Sequence, residues 1–144
     1  MDQAELMQIA LVERQARELE GHLEIVSNQI IELEDFIGTI EALISSKERD
    51  MLASLGKRVF VKTRADDFDK LFVEVGAGVI VKKTPKETAD IIKEQIKRFK
   101  EARIEISGQL QMHHMELENF MNKVRGENEE TSENKAGKNK NRNN

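Results

Sequence analysis

Apolar residues in the first third of the chain follow a strict alternation of steps of three and four residues. This spacing places successive apolar side chains on one stripe of an α-helix and is typical of a coiled-coil seam. The pattern runs for five heptads without a break, so it predicts one long helix over residues 3–48. The first seam comprises Ile9, Val12, Ala16, Leu19, Leu23, Val26, Ile30, Leu33, Ile37, Ile40 and Ile44.

A second seam with the same spacing occupies the last third of the chain and predicts a helix over residues 85–125. Its start is also marked by Thr84-Pro85-Lys86-Glu87, which combines an N-cap hydroxyl, a proline at the first helical position and a capping-box glutamate. Two members of this seam, Arg103 and His113, are polar. The second seam comprises Ala89, Ile92, Ile96, Phe99, Arg103, Ile106, Leu110, His113, Leu117, Phe120 and Val124.

Between the two seams, residues 51–83 contain short β-branched and aromatic runs separated by turn-rich segments. The runs at 58–62, 70–75 and 79–83 predict three strands, and residues 51–55 are a weaker candidate for a fourth. Four strands would form two successive hairpins. A chain with this order of elements folds back on itself.

The predicted fold class is therefore α+β: a long antiparallel two-helix coiled coil with a central β-hairpin region of three to four strands. Aligning the helices through the central region brings opposite or neutral partners together at the e positions. Such exposed pairs contribute only a few tenths of a kcal/mol each, so they favour an alignment more than they hold it. The charged pairs are Glu41 with Lys93, Glu34 with Lys100, and Glu20 with His114.

The predicted strands leave open edges and apolar faces that two thin helices cannot cover. We therefore expect partner chains to cover them in an assembly interface formed by strands. A small sheet folded onto its own helix pair is the alternative. The expected interface residues are Val59, Val61, Leu71, Val73, Val75, Ile80 and Val81.

Composition narrows the possible functions. Six Phe with no Trp and no Tyr cannot fill an ordinary globular core in 144 residues, whereas 35% charged residues suit solvated helices. A net charge of -4 argues against a nucleic-acid partner, because phosphate binding needs an uncompensated basic surface. Residues 127–144 are too polar to bury anything and are predicted to be a disordered tail after a domain of residues 1–126.

Location follows from three further features of the sequence. The chain has no cysteine, which suits a reducing compartment. The N-terminal residues lack the basic and apolar regions of a signal peptide, and no apolar run approaches the roughly 18 residues of a membrane span. We expect a cytoplasmic protein without a membrane partner.

No catalytic, metal or cofactor site is predicted. Gly76-Ala77-Gly78 lacks the further glycine and the Lys-Ser/Thr pair of a phosphate loop, so a hairpin turn is favoured. His113 and His114 are adjacent and point about 100° apart on a helix, so they cannot chelate one metal in the usual i, i+4 manner. Extended helices offer no pocket for a nucleophile and its base. We predict that the protein is not an enzyme.

The order of helix, paired hairpins and returning helix resembles the alpha class of prefoldin subunits over residues 3–125. The most specific stretch is Val75-Gly-Ala-Gly-Val-Ile-Val-Lys82, which leads into the capped second helix. Two hairpins rather than one distinguish the alpha class from the beta class. Residues 51–55 lack the proline and extra glycines often seen around the first strand of the family.

The resemblance implies an ATP-independent chaperone that holds unfolded polypeptides. It implies a hexamer of two alpha and four beta subunits, in which hairpin strands form an intersubunit β-barrel and six coiled coils extend from it. The coil tips would capture clients and deliver them to a group II chaperonin. The expected partners are beta-class prefoldin subunits, unfolded client proteins and a group II chaperonin.

Methionine and other apolar residues concentrate toward the two ends of the predicted coil. Flexible thioethers adapt to many shapes of apolar client, and several of these residues lie off the seam, where the coil would not bury them. The alternative is that they only cap a fraying coil end. The expected client-binding residues are Leu6, Met7, Ile9, Leu11, Met112, Met115, Leu117, Phe120 and Met121.

A structural coiled-coil adaptor is the alternative function. An adaptor would offer a fixed groove to one partner and would need no adaptable ends. Nucleic-acid binding through the basic residues of the tail would instead depend strongly on salt and would be lost on removing residues 135–144.

Overall fold

The computed structural model describes the backbone of residues 2–140 and the side chains of residues 2–138. Two long helices flank four strands in two hairpins, which confirms the predicted fold class and the weak first strand. The elements in chain order are α1 (Gln3–Ser45), β1 (Asp50–Gly56), β2 (Val59–Arg64), β3 (Leu71–Gly76), β4 (Val79–Lys83) and α2 (Pro85–Lys140).

The chain divides into two compact units. We call Met1–Ile25 with Ala102–Asn144 the helical unit, and Val26–Glu101 the hairpin unit. The helical unit contains the first part of α1 and most of α2. The hairpin unit contains all four strands with the adjoining helix segments.

Side-chain caps mark the start of both helices, and the capping box at α1 is reciprocal. At α1, the Glu5 amide donates to Asp2 Oδ1 at 2.8 Å and the Asp2 amide donates to Glu5 Oε2 at 3.2 Å. At α2, the Glu87 amide donates to Thr84 Oγ1 at 3.1 Å, and Pro85 is the first helical residue, as predicted.

Helix α1 ends at Ser45, so the predicted end at residue 48 is wrong by three residues. The Ser45 hydroxyl donates to the Glu41 carbonyl at 2.9 Å, and the Ser46 hydroxyl accepts the Glu48 amide at 3.1 Å. Serine side chains that bond the local backbone in this way compete with helix propagation. The strand region accordingly begins at Asp50 rather than at residue 51.

Helix α2 continues to Lys140, so the predicted helix end at 125 and the disordered tail are wrong for residues 127–140. The side chains from Gly126 to Lys138 are all exposed, so local propensity rather than packing accounts for this segment. Its Glu and Lys residues are good helix formers. The last part of the predicted tail, residues 141–144, lies outside the described residues.

Each hairpin closes through a two-residue turn with positive φ. In the first hairpin Lys57 has φ 51° and Arg58 has φ 65°; in the second, Ala77 has φ 50° and Gly78 has φ 75°. Positive φ at both central residues defines the turn that matches the twist of the strands. The Gly76-Ala77-Gly78 segment is therefore a hairpin turn, as predicted. Both strand pairs are antiparallel, Val61 opposing Ala53 in one and Val73 opposing Val81 in the other.

The hairpin unit has a thin apolar core along the predicted seams. Ile30, Ile40, Ile92 and Ile96 are buried, and Val26, Leu33, Ile37 and Phe99 pack against them. In the helical unit, Val12 and Ala16 are the buried seam residues among those described.

Ion pairs support the antiparallel alignment within each unit. Lys100 Nζ lies 3.2 Å from Glu34 Oε1 in the hairpin unit, and His114 Nε2 lies 3.6 Å from Glu20 Oε1 in the helical unit. These two predicted pairs are confirmed. The third expected pair, Glu41 with Lys93, forms no ion pair in the described part of the chain.

Candidate functional surfaces

The predicted strand interface is only partly open in the structure. Val59, Val61, Val75 and Ile80 are exposed, whereas the other three members are half-buried within the hairpin unit. The half-buried residues are Leu71, Val73 and Val81. The β3–β4 hairpin thus presents one partly covered face and one open face.

Sequence reasoning missed the most exposed apolar residues of the hairpins. Phe72 is 70% exposed on the face of the β3–β4 hairpin opposite to Leu71 and Val73, and Leu52 is 69% exposed in the β1–β2 hairpin. The alternation of side chains along β3 could have revealed Phe72, since Leu71 and Val73 point to one face of the strand and Phe72 to the other. The residues that should have been added are Leu52, Leu55, Phe60, Phe72 and Val79.

The open face of this hairpin also carries a cation, Lys82, beside Phe72. Lys82 opposes Phe72 across the β3–β4 pair, and its Nζ lies 5.6 Å from the ring centroid. Exposed aromatic side chains are enriched at protein–protein interfaces, so Phe72 marks this face as a candidate for burial on association.

An apolar groove of about 740 Å³ runs between β3 and the helix pair of the hairpin unit. Residues 71–75 of β3 line the groove, and Glu74 is the charged residue in its lining. Since β3 pairs with β4 on one edge, its other edge is unpaired among the described strands. The helix residues lining the groove include Leu33, Phe36, Ile40, Leu43, Ile91 and Ile92.

The helical unit displays most of the predicted client-binding residues on its surface. Six of the nine are exposed; Ile9, Leu117 and Phe120 are half-buried in the seam. Met112 is the most open of the six, at 70% exposure. The exposed residues are Leu6, Met7, Leu11, Met112, Met115 and Met121.

The three half-buried residues form the shared floor of two clefts. The first, which we call the Glu5 cleft, has a volume of about 180 Å³ and is lined by Glu5, Gln8, Ile9, Val12, Glu116, Leu117, Phe120 and Lys123. The second, the Met121 cleft, has about 300 Å³ and is lined by Ile9, Glu13, Leu117, Phe120, Met121, Val124 and Arg125.

An ion pair joins the two helices at the Glu5 cleft. Lys123 Nζ donates to Glu5 Oε1 at 3.1 Å. This hydrogen bond lowers the pKa of Glu5 and raises the pKa of Lys123, and the attraction between the charges acts in the same direction. Glu5 therefore remains a carboxylate and Lys123 an ammonium at neutral pH.

The adjacent residues His113 and His114 lie beside different carboxylates. His113 Nδ1 lies 3.6 Å from Glu116 Oε2, while His114 pairs with Glu20. No group of three His, Asp or Glu side chains that could hold a metal occurs among the residues described. None of the described helices is long and apolar enough to cross a membrane.

Comparison with known proteins gives the family. The prefoldin subunit family model matches residues 12–130, so the chain belongs to the prefoldin family. It is 28% identical over 115 residues to a prefoldin subunit alpha of Methanoregula boonei, covering 77% of this chain and 75% of that protein. Prefoldins are non-enzymatic chaperones, so membership supports a chaperone-type role.

The fold is also similar to that of a solved prefoldin. A chain in the cryo-EM structure of filamentous prefoldin from Methanocaldococcus jannaschii superposes with a TM-score of 0.71 at 18% identity. The match covers 80% of this chain and 96% of that one. Two long helices joined by two hairpins are thus a prefoldin fold.

Proposed function

We propose that this chain is an alpha-class subunit of a hetero-oligomeric prefoldin that holds unfolded polypeptides without hydrolysing nucleotide. The observation that carries the proposal is the separation of two kinds of exposed apolar surface. One kind is on the hairpins, where strands can pair with strands. The other is on the helical unit, where six exposed Met and Leu side chains occur and one of them, Met121, lines an open cleft.

Assembly is assigned to the hairpins. Two-stranded sheets are marginal by themselves, and each hairpin here has unpaired edges and an exposed apolar face. Beta-class prefoldin subunits are the proposed partners, two alpha with four beta, with strands joined in an intersubunit β-barrel. The similarity to a prefoldin subunit alpha supports the alpha assignment.

Client capture is assigned to the helical unit. Each client methylene buried there contributes on the order of 0.8 kcal/mol, so a few exposed Met and Leu side chains give weak, reversible binding. Several subunits that contact one client together raise the overall affinity through effective concentration. Delivery to a group II chaperonin in the cytoplasm completes the proposed role.

The test replaces together, by Asn, the six predicted client-binding residues that are exposed: Leu6, Met7, Leu11, Met112, Met115 and Met121. We expect the variant to assemble with a beta-class subunit as the native chain does, while suppression of aggregation of a denatured client is lost. The matched control replaces Ile25 and Ile104, which are also exposed on helices of the same unit but lie away from both clefts.

Each outcome has a clear meaning. Retained suppression by the sixfold variant would remove these residues from client binding. Equal loss in the control would show that any exposed apolar surface suffices. Assembly without suppression in the native protein itself would identify a structural adaptor instead.

A further inference from the structure

The Glu5 cleft combines an apolar floor with charged groups at its rim. Ile9, Leu117 and Phe120 form the floor, and carboxylates from both helices, Glu5 and Glu116, line the cleft beside them. A purely apolar client residue would use the floor alone. The carboxylates add a position at which a client cation can bind.

Glu5 is held in place independently of Lys123. Its Oε2 accepts the Asp2 amide at 3.2 Å and its own amide donates to Asp2 Oδ1 at 2.8 Å, which fixes the side chain over the first turn of α1. The other carboxylate oxygen, Oε1, bonds Lys123. A cation that replaced Lys123 would therefore meet a carboxylate that is already positioned.

Lys123 shows that a primary ammonium group can bind Glu5 Oε1 in this cleft. Its ammonium lies 3.1 Å from Glu5 Oε1 beside the apolar floor, and its side chain is 59% exposed on a flexible four-carbon stem. Such a side chain exchanges readily with a competing ammonium or guanidinium group. The protein thus contains its own example of a cation beside an apolar residue.

The net charges of the two units also favour a cationic client at the helical unit. Residues 1–25 and 102–144 contain 13 acidic and 9 basic side chains, whereas residues 26–101 contain 14 of each. The whole net charge of -4 therefore belongs to the helical unit. A basic client segment is attracted to this unit and an acidic one is repelled.

We propose that the Glu5 cleft selects unfolded segments in which Lys or Arg directly flanks a bulky apolar residue. The apolar side chain packs on Ile9, Leu117 and Phe120, and the flanking cation takes the place of Lys123 on Glu5 Oε1. This inference rests on the proposed function, because it assigns a client chemistry to the helical unit.

The test uses the full-length chain assembled with a beta-class subunit and three short fluorescent peptides. The first has Lys next to each Leu and Phe; the second has the same composition with the lysines gathered at one end; the third has Glu in place of Lys. Fluorescence anisotropy at low salt gives the affinities. One exposed ion pair is worth about two- to fivefold in affinity. We expect the first peptide to bind tighter than the second by less than this, because the client cation must displace Lys123 from Glu5, and the third to bind weakest.

Variants assign the preference to the cleft. Glu5→Gln keeps the capping box, which accepts Gln, but removes the charge, so the first and second peptides should then bind equally. Glu133→Gln makes the same charge change on an exposed residue outside the cleft and should leave the preference intact. Lys123→Gln frees Glu5 and should strengthen binding of the first peptide.

Equal binding of the first and second peptides by the native protein, or the same effect of Glu5→Gln and Glu133→Gln, would overturn the inference. If that result came with normal suppression of client aggregation, the proposed function would stand without this selectivity. Failure of all three peptides to bind, together with absent suppression, would overturn the proposed function as well.

Discussion

At the scale of single residues, one carboxylate connects the start of α1 to α2. Glu5 caps its own helix through Oε2 and pairs with Lys123 through Oε1. Its pKa is lowered, so the stabilisation it gives is present above its unfolded pKa near 4.5 and is lost as the pH falls through the lower folded value. The pKa of Lys123 is raised, so its dependence on pH has the opposite sign. The stabilisation it gives is present below its unfolded pKa near 10.5 and is lost as the pH rises through its higher folded pKa.

Removing the lysine tests this electrostatic assignment. In Lys123→Ala, the pKa of Glu5 should rise toward its ordinary value, because the hydrogen bond and the favourable charge are both gone. Titration of the Glu5 carboxyl by NMR measures the change. Lys135→Ala, which removes an exposed lysine from the helix beyond Gly126, is the matched control and should leave the Glu5 pKa unchanged. An unchanged Glu5 pKa in Lys123→Ala would contradict the ion pair.

A second residue-scale prediction concerns the turn between β1 and β2. Arg58 has φ 65°, a conformation that costs a side-chain-bearing residue about 1 kcal/mol or more relative to Gly. Arg58→Gly should therefore raise the free energy of unfolding of the assembled protein by about 1 kcal/mol in urea titration. Lys62→Gly, in the extended part of β2, should lower it instead. A loss of stability in Arg58→Gly would show that the turn does not have this geometry.

At the scale of elements, the helices were more predictable than the faces of the strands. Unbroken 3–4 spacing over five heptads and the Thr84 capping box are strong local signals, and both helices were found where these signals lie. The end of α2 was not predicted, because the residues after Gly126 have no apolar pattern. A Glu- and Lys-rich sequence can nevertheless form a helix without packing. Phe60 and Phe72 were missed because each of them alternates along its strand with residues that were chosen.

The N-cap of α2 gives an element-scale prediction. Thr84→Ala removes the hydroxyl that accepts the Glu87 amide, so the free energy of unfolding should fall by about 1 kcal/mol. Thr84→Ser retains the acceptor and should lose much less. Denaturant titration of the assembled complex measures both variants, and equal losses would show that the methyl group rather than the cap matters.

At the scale of the whole molecule, the proposed function places assembly and client binding on different units of the chain. The hairpin unit has balanced charge and two unpaired hairpins, while the helical unit carries the net negative charge and the exposed methionines. Family membership and the α+β fold followed from the order of elements, but the two clefts could not be predicted, because they depend on how half-buried seam residues meet across the helices.

Site-specific photocrosslinking tests the central claim most directly, that clients bind the helical unit beside the clefts. A photoreactive phenylalanine analogue would be placed at Met121, at Ile104 or at Phe72 in the assembled complex, which is then irradiated with a denatured client. We expect strong crosslinking from Met121, which lines the Met121 cleft, and little from the other two positions. Client crosslinks that are as strong from Phe72 or Ile104 as from Met121 would contradict the account.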